Sequence, residues 1–209
     1  MQFSDLTIKT FLQELGSATP APGGGSAAAL AGAMAASLCS MVARITLGSE
    51  KYKDAWEDMK GIQELVTNAT SKLSSLATRD NEAYGKVMEA YRLPKQTEEQ
   101  QNTRQNAIQE ALKGAALVPL ETLRAVHQLL GPAQKLIEKG NPNCITDVGV
   151  AVLLIESAAK GAAYNVRINL SSITDAAFSR ETSDEVQALM KSLQHKVKTL
   201  NQKVEMGIG

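Results

Sequence analysis

The chain has 209 residues, enough to bury a full core as one domain, and 44% of them are apolar, which indicates neither disorder nor a fibre. Its 22 basic residues balance 22 acidic ones and no basic stripe stands out, so nucleic acid is not an expected partner. Aromatic residues make up only 4%. Such a core relies on close packing of alanine and aliphatic side chains, as between helices pressed together. Cys39 and Cys144 lie far apart in no metal-type spacing, so buried free thiols and a reducing, cytoplasmic setting are expected. Residues 1–5 lack the basic start and apolar run of a signal peptide.

No stretch alternates with period two, whereas helical periodicity recurs throughout. Ile8, Phe11, Leu12 and Leu15 follow the helical repeat, and Gly16 supplies a stop. After a loop over residues 17–25, Ser26 is placed to cap a second helix that ends near Leu47, before Gly48. Residues 27–43 are small and apolar on nearly every side. They fall short of the about 20 strongly apolar residues of a membrane span, so a buried central helix and no membrane partner are expected. Gly32, Ala36 and Ser40, spaced by four, suit close approach of a neighbouring helix.

A long helix is predicted over residues 54–91, ended by Leu93-Pro94. Thr97, with Glu98 and Glu99, starts a fourth, in which Pro119 predicts a kink and Gly131 an end near Leu130. A short helix over residues 132–139 is stopped by Gly140-Asn141-Pro142. The sixth starts at Thr146 or Asp147 and reaches about Leu170; the last, residues 184–206, is charged and peripheral. The expected fold is a single all-α domain over residues 1–209. It is an antiparallel bundle of about six to seven helices, with long central helices and no sheet.

Three constellations could carry chemistry. Pro22-Gly23-Gly24-Gly25-Ser26 leads into a helix N-terminus, where bare backbone N–H groups favour negative charge. The Lys of a Walker loop and the strand of a Rossmann turn are missing, and a tight entry turn is the competing reading. Asp80 sits on an apolar seam with Leu73, Leu76, Ala83 and Val87. A carboxylate there must be paired, with Arg44 or Arg92 for example, or protonated, or placed in a cleft where it can do acid–base work. Asp147, Asn165 and Asn169 lie on the sixth helix, the two amides one turn apart; they suit a heterocycle with mixed donors and acceptors, or a tie between helices. His127 and His195 form no cluster, so no metal is expected, and no serine-hydrolase elbow occurs.

These blocks resemble one known family. Pro20-Ala21-Pro22-Gly23-Gly24-Gly25-Ser26 is similar to the opening of the formimidoyltetrahydrofolate cyclodeaminase and methenyltetrahydrofolate cyclohydrolase family. Asp80-Asn81-Glu82-Ala83-Tyr84 with Arg92-Leu93-Pro94-Lys95 resembles a second block; Asp147-Val148-Gly149-Val150-Ala151 and Gly161 through Leu170 resemble a third. Thr78 stands where the bifunctional pattern has a further carboxylate. The resemblance implies a helical homodimer that binds a reduced folate carrying a one-carbon unit, with no cofactor beyond that substrate. It implies Asp80 as the acid–base residue, and Pro22, Gly23, Gly24, Gly25, Ser26, Asp147, Asn165 and Asn169 as folate-lining residues. The reaction would be cyclodeamination, cyclohydrolysis or both. A folate-binding module without turnover and a structural helical adaptor are the alternatives.

Overall fold

The computed structural model describes residues 6–209; residues 1–5, read above for a signal peptide, lie outside the described part. Seven helices follow in order: α1 (Ile8–Leu15), α2 (Gly24–Leu47), α3 (Trp56–Arg92), α4 (Glu98–Gln128), α5 (Leu130–Lys139), α6 (Ile145–Leu170) and α7 (Ala176–Ile208). Short 3-10 turns, Glu50–Ala55 and Pro142–Cys144, lead into α3 and α6. No strand occurs among the described residues. The all-α reading is borne out.

α2 packs between α3 and α6, α4 lies against α3 and α6 on the far side, and α7 lies along α6 with lesser contact to α4 and α5. The central position of α2 follows from its composition. Ala29, Ala35, Ala36, Cys39, Val42 and Ala43 are fully buried, and such small side chains admit neighbours on both flanks. At Gly32 a Cβ would lie 2.7 Å from Val126 Cγ2 and 3.3 Å from both Leu73 methyls, so the hydrogen there is what lets α2, α3 and α4 converge. Gly161 and Ala28 do the same for α6 and α2, at 3.1 Å. α2 is long and apolar enough to cross a membrane by length and composition, but 56% of its most apolar stretch is buried inside the bundle. It reads as a core helix.

Several boundaries differ from the sequence expectation. α2 starts at Gly24 with Gly23 as its cap, because the Ser26 hydroxyl is turned away toward α3. α4 begins as predicted, with a complete capping box between Thr97 and Gln100, and runs through the buried Pro119. Gly131 is no stop: it lies with Pro132 in the first turn of α5, where a missing N–H costs nothing. α7 starts eight residues before the predicted position, because the Asp175 carboxylate accepts from the Phe178 N–H, 3.0 Å away, and caps it. Two bidentate ion pairs strap the outer layer, Arg79–Glu121 between α3 and α4 and Arg124–Glu185 between α4 and α7.

Candidate active site

The loop preceding α2 turns through a cis peptide at Ala21–Pro22, with Pro22 buried. Ala27 N–H makes the first helical bond of α2, to the Gly23 carbonyl at 3.0 Å. The N–H groups of Gly24, Gly25 and Ser26 therefore have no carbonyl of their own helix to meet. α2 begins between Asp80 of α3 and Asn165 of α6: a Cβ on Gly24 would lie 3.6 Å from Asn165 Nδ2, and one on Gly25 would fall within the Asp80 carboxylate. α3 continues for twelve residues beyond Asp80, about 18 Å, and α6 for five beyond Asn165. Asp80 and Asn165 thus flank the N-terminus of α2, beyond which α3 and α6 continue with α4 packed against both.

Asp80 stands beside Gly25 at the N-terminus of α2, half-buried. The Ser26 Oγ lies 3.0 Å from Asp80 Oδ2 and 2.9 Å from the Ala77 carbonyl, and the Ser26 backbone N–H also donates to the carboxylate. No ion pair to Asp80 occurs among the described residues, and neither Arg44 nor Arg92 reaches it. Burial pushes its proton affinity above the ordinary carboxylate range, and the two Ser26 donors offset only part of that rise. The adjacent Arg79 points the other way, to Glu121. A carboxylate so placed holds a proton more tightly than a solvated one, beside helix-end N–H groups that favour negative charge.

Asn165 Nδ2 donates to the Gly161 carbonyl, and Asn169 Nδ2 donates to the Ala115 carbonyl of α4 and to the Asn165 carbonyl, all at 2.9 Å. Asn169 thus ties α6 to α4, while both carboxamide oxygens stay unengaged by hydrogen bonds among the described residues. Asp147 is not part of this cluster. It lies in the first turn of α6, eighteen residues and about 27 Å before Asn165, because a straight helix carries its two ends apart. Of the sequence-selected residues, the structure brings together Gly23 to Ser26, Asp80, Asn165 and Asn169. Pro22 lies behind them in the turn.

Ser26 is fully buried and spends its hydroxyl on α3, so it supports Asp80 and does not face a ligand. The Ala77 carbonyl, its second acceptor, has no signature in sequence. Tyr84 does: it follows Asp80 by one turn, on the same face, and is 37% exposed. Thr78, two residues before Asp80, is rotated about 200° around α3 and buried, so a carboxylate at that position would not stand beside Asp80.

Comparison with known proteins agrees with this architecture. A family profile described as Formiminotransferase-cyclodeaminase matches residues 7–188. The methenyltetrahydrofolate cyclohydrolase of Methylorubrum extorquens is 43% identical over 184 residues, which cover 88% of each chain. The formimidoyltransferase-cyclodeaminase of Mus musculus is 36% identical over 187 residues; the match covers 90% of this chain and 35% of that longer one. The crystal structure of formiminotetrahydrofolate cyclodeaminase from Thermotoga maritima superposes with a TM-score of 0.89 at 32% identity, over 99% of both chains. With the ordered blocks, the helical fold and the match over most of its length, this chain belongs to the formiminotransferase-cyclodeaminase family, as a cyclodeaminase-type helical domain.

Proposed function

We propose that the chain is an enzyme acting on the one-carbon unit between N5 and N10 of a reduced folate, with Asp80 as its acid–base residue. In cyclohydrolysis, water adds to the methenyl carbon and gives up a proton to Asp80. The C–N5 bond then breaks, N5 takes that proton back, the hydroxyl proton is released to water as the formyl C=O forms, and 10-formyltetrahydrofolate results. In cyclodeamination, N10 attacks the carbon of the protonated formimino group, the N10 proton passes by way of Asp80 to the leaving nitrogen, and ammonia departs to give the methenyl cation. Either path needs one group that takes and returns a proton beside a tetrahedral carbon. The identity to a cyclohydrolase over 88% of both chains makes hydrolysis the first activity to test.

The observation that carries this reading is the half-buried carboxylate held by Ser26 at the N-terminus of α2, with no ion pair among the described residues. Gly23 and Gly24 let the folate approach backbone, and the carboxamide oxygens of Asn165 and Asn169 serve as acceptors for its N–H groups. The test follows loss of methenyl absorbance and, separately, ammonia release from the formimino form. Asp80→Asn is expected to lose about 10²–10⁴-fold in turnover while remaining folded. Wild-type turnover by a folded Asp80→Asn variant would overturn the assignment.

A second copy of the chain is the proposed partner. α2 and α6 lie side by side and expose Met34, Met41 and Ile45 on one, Val150, Leu153 and Tyr164 on the other. Exposed apolar side chains gathered on two neighbouring helices favour a subunit contact. The setting is proposed to be a reducing, cytoplasmic one. Both cysteines are buried and unpaired, and burial pushes the Cys39 thiol up to about 12, which leaves it inert.

A further inference from the structure

Ser26 is the third residue of α2 and has no exposed surface, so its hydroxyl answers only to the protein. That hydroxyl carries one proton and faces two acceptors, Asp80 Oδ2 at 3.0 Å and the Ala77 carbonyl at 2.9 Å. It can donate to one at a time, and it turns to the stronger. An ionised carboxylate is the stronger acceptor, through a charge-assisted bond. Once Oδ1 has taken a proton, Oδ2 is a neutral carbonyl oxygen and the amide carbonyl of Ala77 becomes the better partner.

We propose that Ser26 is a positioning residue whose hydroxyl proton switches between Asp80 and the Ala77 carbonyl as the carboxyl group loses and gains its proton; this rests on the reading of Asp80 as the acid–base group. The switch solves a specific problem. Asp80 changes charge where no cation is paired with it, and a buried group left without a partner in either state would be costly. With a rotatable donor and a second acceptor one turn away on the same helix, the Ser26 hydroxyl keeps an acceptor in both charge states. The neighbouring Ser26 N–H, which cannot rotate, holds the carboxylate in place throughout. The proton exchanged with the folate enters and leaves at Oδ1, and the Ser26 proton is never transferred.

The test is the pH dependence of methenyl loss in the full chain and in Ser26→Ala and Ser26→Thr. Removing a donor that favours the ionised form is expected to move the acid limb of kcat/KM in Ser26→Ala upward by about one pH unit. KM at the plateau should change by less than about threefold, since Ser26 does not touch the ligand. Ser26→Thr, which keeps the hydroxyl, is expected to restore the limb. The carbon-13 titration of the Asp80 carboxyl in wild type and Ser26→Ala gives the same readout without turnover. A folded Ser26→Ala variant with both titrations unmoved would overturn the switch. Wild-type turnover in Asp80→Asn would remove the reading beneath it, so the two failures are distinguishable.

Discussion

Gly25 and Asp80 occupy adjoining space so closely that a side chain on one excludes the carboxylate of the other: a Cβ at Gly25 would lie 2.6 Å from Asp80 Cγ. Gly25→Ala is therefore expected to push Asp80 out of its Ser26 cradle. Turnover should fall by about 10²-fold, the scale of a 1 Å misplacement, with about 1–3 kcal/mol of stability lost to overpacking. Steady-state rates and urea unfolding of the same variant check both. An active Gly25→Ala enzyme would mean that the carboxylate need not sit where it does.

Asp80 also carries a stability cost that the reaction requires. Its folded-state proton affinity is raised by burial, so the native state holds the proton more tightly than the unfolded chain does. Stability contributed by the neutral form is then lost as pH rises from the unfolded value of 3.8 through the higher folded one. Asp80→Asn keeps an acceptor for Ser26 without the charge. It is expected to melt about 2 °C higher at pH 7, on the order of 0.5–1 kcal/mol, even as it loses activity. Differential scanning calorimetry at pH 7 decides this, and a lower melting point counts against it.

Asp58 has the opposite sign. It is clamped by Lys135 Nζ at 2.7 Å and Lys139 Nζ at 2.6 Å, which lower its pKa from 3.8 to about 2. Its contribution is present above the unfolded value and is lost as pH falls from about 3.8 toward 2. Urea midpoints between pH 5 and pH 2 should fall more steeply in the wild type than in Lys135→Met/Lys139→Met. Parallel curves would show the bridge to be without effect.

Helical glycines fall into two classes. Gly61 and Gly114 have nothing within 4 Å of a Cβ, so each change to alanine should stabilise by about 0.5–1 kcal/mol. Gly32 meets Val126 at 2.7 Å, and Gly32→Ala should destabilise by about 1–3 kcal/mol despite alanine's better helix propensity. Equal melting shifts in Gly32→Ala and Gly61→Ala would refute the close contact.

Leu153 is 57% exposed on the face proposed to bind a second copy. Leu153→Glu should convert a dimer to a monomer in analytical ultracentrifugation with the helical content unchanged. A wild-type chain that sediments as a monomer would exclude that partner.

The loop, Asp80 and the helix pattern were legible in the amino-acid order, because local rules generate them: glycine permissiveness, one carboxylate on an apolar seam, a 3.6-residue period. Thr97 announces α4 through its capping box, whereas Asp175, an equally local cap, starts α7 eight residues before the predicted position. Other features had no local cause. Asp147 and Asn165 belong to one helix and look like partners in the sequence, yet the rise per residue separates them, and only the packing of α2 shows which end of α6 meets the loop. The same packing changed the meaning of the glycines. The sequence alone determined that something must approach the backbone before α2. The tertiary structure decided that at Gly25 it is Asp80 itself, because the contact spans 55 residues of chain and depends on how closely α2 and α3 lie together.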